Sequence, residues 1–273
     1  MPELPEIESL RQYLKREGVV GAVFTDVKVE DKSSPNSGVG AISGIKRIAG
    51  RKVQRLRRHG KQIAAVLDNG ILGLHMGMTG QIDILEPSAL TPRFTRAEFS
   101  LRRDDRHIRM AVIDPRRWAS IRLFPSLRQA FYGLGPDALD PNYTAEIFVD
   151  TLSRRSARIK PLLLDQSLIA GVGNIYADES LHRSRISPFR RANRISDERL
   201  NTLYHALRGC LEHALEFILS HPDDRGRPYI VDAFDERMNL QRSSGSFCPR
   251  CECPLKTKVI GGRTAYYCPA CQT

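Results

Sequence analysis

The C-terminus of the chain carries two Cys-x-x-Cys pairs, Cys248-Pro-Arg-Cys251 and Cys268-Pro-Ala-Cys271, with sixteen residues between them. Each pair can bring two thiolates to one ion, and the intervening stretch is the right length for a β-hairpin. The spacing therefore points to a tetrahedral four-thiolate zinc site. Disulfides are the alternative, and they require an oxidising compartment. No apolar run is long enough to span a bilayer, and the acidic, proline-containing start does not read as a signal peptide, so a cytoplasmic protein with no membrane partner is expected. One structural zinc per chain follows, held by Cys248, Cys251, Cys268 and Cys271. Cys210, in a helical apolar stripe, and Cys253, an extra thiol in the hairpin, are read as non-ligands.

At the other end stands Met1-Pro2-Glu3-Leu4-Pro5-Glu6-Ile7-Glu8. With Met1 removed, Pro2 presents a secondary amine that can attack a sugar C1′ and form a cationic imine, and an α-amino group titrates low enough to be partly unprotonated near neutrality. Glu3 adjoins it as acid or base. The plainer alternative is that Pro2 and Pro5 only open a helix whose acidic first turn suits its positive end. Leu4, Ile7, Leu10 and Leu14 recur at helical spacing. The two readings are compatible, since a buried helix is a rigid mount for a terminal nucleophile.

Charge narrows the partner. The formal net charge is +11, which fits a polyanion or a merely solvated basic surface. Eight basic residues lie between Lys46 and Lys61 with no acid among them, inside patterned sequence rather than a low-complexity tail. From Gln241 to Thr273 there are five basic residues against one acid, Glu252. Both favour ordered phosphate-binding surfaces.

Short strand-like stretches are expected at 22–30, 52–56, 62–67, 71–75, 81–85, 97–102, 108–113 and 120–124, with Asp68-Asn-Gly70 and Arg103-Asp-Asp-Arg106 as hairpin turns and 33–40 as a loop. This pattern suits an antiparallel sandwich or flattened barrel. Beyond Pro125 helices are expected at 143–153, 159–165 and 175–183, the last entered through the Gly171-Val-Gly-Asn174 turn, and another runs from a Ser196 cap to Leu219. The fold class is multidomain α+β. The domains are read as 1–125, a linker at 126–141, a helical domain at 142–240 and a zinc finger at 241–273. Ser220–Gly245 reads as a loop.

Pro2-Glu3-Leu-Pro-Glu6, Gly171-Val-Gly-Asn174-Ile-Tyr-Ala-Asp-Glu179 and the four-cysteine hairpin together resemble the formamidopyrimidine-DNA glycosylase family. Leu74-His-Met-Gly-Met-Thr-Gly80, Asp114-Pro-Arg-Arg-Trp118, Leu134-Gly-Pro136 and Ile159-Lys-Pro161 follow in the family's order, so the resemblance spans the chain. Leu4, where the related endonuclease VIII branch usually has glycine, favours the formamidopyrimidine branch. The resemblance implies an N-terminal β-sandwich with a catalytic helix, a helix-two-turn-helix module and a zinc finger. It also implies excision of oxidised bases followed by β- and δ-elimination. Pro2 is then the Schiff-base nucleophile, Glu3 the proton donor for sugar-ring opening, Lys61 a lysine associated with elimination, and Arg263 the hairpin arginine implicated in δ-elimination.

Met78, Arg116 and Trp118 match the family's positions for filling the hole left by a flipped base, and Lys160 and Asn174 match phosphate contacts. Several residues depart from the family pattern. Trp118 stands where phenylalanine is common, Ser156 where a lysine is expected, and no histidine lies near Phe94. The 220–245 segment differs from the family's lesion-embracing loop, which leads to the expectation that 8-oxoguanine is not the best substrate.

The implied partner is double-stranded DNA containing oxidised bases or abasic sites, bound by a monomer in a bacterial cytoplasm or nucleoid. Two other functions compete with this one. The first is an endonuclease VIII-like preference for oxidised pyrimidines or hydantoins, and the second is a non-catalytic lesion-binding protein, against which Pro2, Glu3 and Lys61 argue.

Overall fold

A computed structural model describes residues 2–29, 40–228, 238–243 and 245–273. Met1, Glu30, most of the 33–40 loop and residues 229–237 and 244 of the 220–245 segment lie outside the described residues. The chain divides into two compact units, Met1–Tyr132 with Ile218–Asp232, and Gly133–Phe217 with Ala233–Thr273. No helix among the described residues is long and apolar enough to cross a membrane.

The first unit is a two-sheet sandwich with one helix built into its core. Helix α1 (Leu4–Arg16) begins with Pro5 in its first turn and a reciprocal capping box, in which the Glu3 N–H donates to Glu6 Oε2 at 2.9 Å. It buries Leu4, Ile7, Leu10, Tyr13 and Leu14. At about 1.5–3 kcal/mol for each large apolar side chain taken from water, that face fixes the helix firmly. Gly18, at φ 83°, ends it in the left-handed conformation that glycine adopts without penalty.

Nine strands follow among the described residues. They are β1 (Val23–Val29), β2 (Ile42–Ser43), β3 (Val53–His59), β4 (Gln62–Leu67), β5 (Ile71–His75), β6 (Gln81–Leu85), β7 (Thr95–Arg103), β8 (Arg106–Ile113) and β9 (Ser120–Phe124). One sheet runs β1-β7-β8-β6 and the other β2-β9-β5-β4-β3. Every neighbouring pair is antiparallel except β2 with β9, a two-residue parallel pairing that carries no alternation for sequence to reveal. The inward residues of both sheets, among them Phe24, Phe99, Ile63, Leu72 and Ile121, share one core with α1. Residues 218–228 also belong here. Arg227 pairs with Asp83 at 2.7 Å and Asp223 at 2.6 Å, and Arg16 donates to the Gly226 carbonyl.

The stretch read as a linker is structured on both sides of the division. Its first part forms the short helix α2 (Leu127–Ala130), whose Ala130 joins an apolar cluster with Ala64, Val66 and Ile71. Its second part is hydrogen-bonded into the other unit, with Gly135 N–H donating to Gln166 O and Ala138 N–H to Ala170 O. Paired backbone groups of this kind make it part of each core rather than a free tether.

The second unit contains α3 (Ala145–Ser153), α4 (Ile159–Leu164), α5 (Asn174–Arg183), α6 (Asp197–Ser220) as far as Phe217, and the hairpin β10 (Lys256–Ile260) and β11 (Arg263–Tyr267). Thr144 caps α3 through its side chain, and Ser196 accepts from the Arg199 N–H at the start of α6. Leu200, Leu203, Leu207, Leu211 and Ile218 of α6 are buried. The zinc hairpin and the helices fall in one compact unit.

Candidate functional site

In the first unit Pro2 and Glu3 sit buried at the head of α1, with Glu3 only 1% exposed. The helix is pinned to the β3–β4 hairpin by one guanidinium. Arg58 Nε donates to Glu8 Oε2 and its Nη1 to the Gly60 carbonyl, both at 3.1 Å. Burial alone would raise the Glu8 carboxyl. Hydrogen bonds from Arg11 and Gln12 with the Arg11 and Arg58 charges outweigh that and hold it below the usual carboxylate range. Lys61 is the residue after Gly60, so the same clasp that holds α1 also holds the turn carrying the lysine. Arg58 is thereby engaged within the protein, whereas Arg55 and Arg57 are exposed. The basic cluster is thus split between scaffold and surface.

Met78 and Trp118 come from separate turns, and the structure joins those turns. Asp114, fully buried, accepts from the Thr79 hydroxyl at 2.5 Å, from the Arg116 N–H at 3.1 Å and from the N–H groups of Trp118 and Ala119 at 2.6 Å. The contact is close at the backbone too. A Cβ on Gly77, whose φ is 60°, would stand 2.7 Å from the Trp118 carbonyl carbon and Cβ, so only glycine fits. The Gly77 N–H donates to His75 Nδ1 at 3.1 Å, and burial together with the Lys61 charge lowers the His75 pKa. Trp118 stays 44% exposed beside an exposed Arg116, an unusual placement for the largest apolar side chain and one that suits a surface used for contact. Phe94 is 48% exposed with Arg93 stacked on its ring at 4.5 Å.

In the second unit Asn174 opens α5, and the turn before it is built by Gln166. The Gln166 amide donates to the carbonyls of Leu164 and Val172 and accepts from the Gly171 N–H. Asn174 Nδ2 donates to the Thr264 carbonyl at 3.1 Å.

Lys160 differs from its expected role as a phosphate contact. Its side chain is 0% exposed, and its ammonium lies 2.6 Å from Asp178 Oδ1 and 3.0 Å from the Thr264 carbonyl. Asp178 also accepts from Arg242 Nε and from the Tyr266 N–H, each at 3.2 Å. Burial pushes the Asp178 carboxyl upward, and the neighbouring Lys160 and Arg242 charges pull against it. Arg263 follows the hairpin turn at the start of β11 and is exposed.

The four expected zinc ligands converge, their donor atoms all lying within 4.8 Å of one another. Cys248 and Cys271 sulfurs are 3.9 Å apart and those of Cys251 and Cys268 are 3.5 Å apart. A zinc–sulfur bond of about 2.3 Å gives tetrahedral edges of about 3.8 Å, so the set fits one ion. Cys253 and Cys210 are outside it. Cys210 is buried in α6, which pushes its thiol up to about 12 and leaves it unreactive. His182 of α5 places Nε2 3.2 Å from Cys248 Sγ, a neighbour that can orient a thiolate ligand.

The sequence reading missed Asp114, Thr79, Gln166, Asp178 and His182 as organisers of these sites. Four of the five lie inside or beside the motifs it quoted.

A sandwich bearing an N-terminal helix, followed by a helical module and a four-cysteine hairpin, defines a class of zinc-finger DNA glycosylases. Family models agree along the chain. The formamidopyrimidine-DNA glycosylase N-terminal domain matches residues 1–121, its H2TH domain residues 134–221, and the zinc finger found in FPG and IleRS residues 245–273. The formamidopyrimidine-DNA glycosylase of Pelotomaculum thermopropionicum is 35% identical over 100% of this chain and 99% of its own length. The crystal structure of the MutM (Fpg) protein from Thermus thermophilus superposes with a TM-score of 0.82 at 33% identity, covering 99% of this chain and 98% of that one. A complex of Lactococcus lactis Fpg with N7-benzyl-Fapy-dG containing DNA shares the fold, with a TM-score of 0.83 at 24% identity and 99% of both chains covered. The chain belongs to the formamidopyrimidine-DNA glycosylase family and carries a site for one structural zinc.

Proposed function

We propose that this DNA glycosylase acts on duplex DNA as a bifunctional enzyme, excising oxidised purines through an imine on Pro2 and then cutting the strand at the resulting abasic site. The observation that carries this reading is the buried head of α1, where Pro2 and Glu3 are mounted on a helix clasped through Glu8 and Arg58 to the turn of Lys61. In the mature chain the unprotonated Pro2 nitrogen attacks C1′, the damaged base leaves with the electron pair of the glycosidic bond, and the Pro2 N–H proton passes to the departing base. Glu3 gives a proton to the ring oxygen O4′ as the sugar opens, leaving a cationic imine between C1′ and Pro2. Loss of a C2′ proton then expels the 3′-phosphate in β-elimination. Loss of a C4′ proton expels the 5′-phosphate in δ-elimination, with Lys61 and Arg263 assisting these steps. Water finally hydrolyses the imine and releases the sugar remnant.

Excision first requires the base to leave the stack, which costs a few kcal/mol. Met78 and Trp118 suit the vacated space, while Arg116 can hydrogen-bond the unpaired base opposite. The start of α5, with its backbone N–H groups and Asn174, suits a backbone phosphate. The relative from Pelotomaculum thermopropionicum, 35% identical along the whole chain, is named a formamidopyrimidine-DNA glycosylase, which supports the purine-lesion reading.

The test is a panel of matched duplexes carrying formamidopyrimidine, 8-oxoguanine, oxidised pyrimidines or an abasic site, followed by single-turnover rates and product sizing. Fastest excision of a purine lesion with strand cutting at both phosphates is expected. Fastest excision of pyrimidine lesions would move the protein to an endonuclease VIII-like activity, and binding without cleavage would make it a lesion-binding protein. The expectation that 8-oxoguanine is not the best substrate rests on a segment that lies partly outside the described residues, and the same panel decides it.

A further inference from the structure

Within the second unit, a buried charged cluster meets the hairpin one residue from Arg263. Lys160 comes from the first turn of α4, Asp178 from the middle of α5, and Arg242 from the approach to the zinc hairpin. The Lys160 and Asp178 side chains are 0% and 1% exposed, so the pair has given up water on all sides. Such a pair is weak evidence for stability, because its desolvation offsets its attraction. Its geometry is informative instead, because both groups also bond the backbone of one strand. Lys160 donates to the Thr264 carbonyl, Asp178 accepts from the Tyr266 N–H, and Asn174 adds a second donor to the Thr264 carbonyl. The turn of the hairpin is held too, since a Cβ on Gly261 would lie 3.3 Å from the Pro161 ring.

We propose that Lys160 and Asp178 are positioning residues for Arg263, fixing the first residues of β11 against α4 and α5 so that the arginine is presented in one orientation. The proposal rests on the reading of Arg263 as the residue that serves δ-elimination. In this arrangement the two buried groups do not touch DNA. Glu179, one residue along, extends the mount, accepting from the N–H groups of Asn239 and Leu240 at 3.0 Å where the chain enters the finger.

The experiment follows an abasic duplex with Lys160→Met, Lys160→Arg, Lys160→Gln and Arg263→Ala, measuring the ratio of β- to δ-elimination products, the rate of imine formation and the zinc content. Lys160→Met should keep one zinc and a near-normal rate of imine formation while shifting the product ratio about tenfold toward β-elimination, with Lys160→Arg recovering part of it. A Lys160→Met ratio equal to the unmodified protein's, beside a shifted Arg263→Ala ratio, would overturn the positioning role and leave the role of Arg263 standing. An unshifted Arg263→Ala ratio would overturn the reading of Arg263 itself, and the proposal with it. Loss of zinc in both Lys160→Met and Lys160→Gln would show that the cluster holds the finger together rather than aiming the arginine, and would also overturn the proposal.

Discussion

Each unit uses one buried aspartate to hold a functional surface, and the two do it by different physics. Asp114 in the sandwich is surrounded by neutral donors, a hydroxyl and three backbone N–H groups. Asp178 in the helical unit faces two cations and a single N–H. A carboxylate that accepts from successive amides dictates the path of a turn atom by atom. One that neutralises buried cations holds separate elements together and tolerates some latitude at each. The turns carrying Met78 and Trp118 have the first property, which holds at a fixed spacing the two side chains proposed to fill the vacated space. The hairpin needs the second, because β11 arrives from a part of the sequence distant from α4 and α5.

The difference predicts unequal responses to the same substitution. Asp178→Asn strands the Lys160 ammonium in a dry site and should destabilise the protein by about 3–5 kcal/mol, with most of the loss recovered in an Asp178→Asn, Lys160→Met double variant. Urea denaturation measures both, and a double variant no more stable than the single one would show that burial of the charge is not the cause. Asp114→Asn exchanges one accepting oxygen for an amide donor that faces other donors, so about 1–3 kcal/mol should be lost. Trp118 is the one tryptophan in the chain, so its fluorescence reports that turn alone. Its anisotropy should fall in Asp114→Asn and stay unchanged in Asp178→Asn, and equal behaviour in both would erase the distinction.

Much of this architecture is legible in the residues. Strands β4, β5, β6 and β9 lie at the strand-like stretches expected, and Asp68-Asn-Gly70 forms the expected turn, because short apolar runs bounded by turn residues and a left-handed glycine leave a local signature. The four cysteines converge as their spacing suggests. What sequence did not convey is long-range. Lys160 reads as an exposed cation because lysine usually is one, and only the fold brings Asp178 and Thr264 to it. The membership of residues 218–228 in the sandwich depends likewise on Arg227 meeting Asp83 across 144 positions.

The smallest effect expected lies beside the turn that carries Met78. Burial and the Lys61 charge hold His75 below its ordinary pKa, so the unfolded chain takes up this proton at a higher pH than the folded one. The contribution of His75 to stability is complete above about pH 6.5 and is lost as pH falls toward the lowered folded value. His75→Gln should therefore flatten the acid side of the stability profile, and an unchanged slope between pH 7 and 5 would show that other groups set it (about the range in which histidine titrates).

Borohydride reduction during cleavage of an abasic duplex, followed by peptide mapping of the trapped adduct, addresses the role of Pro2 directly. The expected result is a single covalent adduct on the Pro2 nitrogen of chains lacking Met1, with none on chains that retain it. An adduct mapped to Lys61 or another internal lysine, or cleavage at full rate by chains that keep Met1, would contradict it.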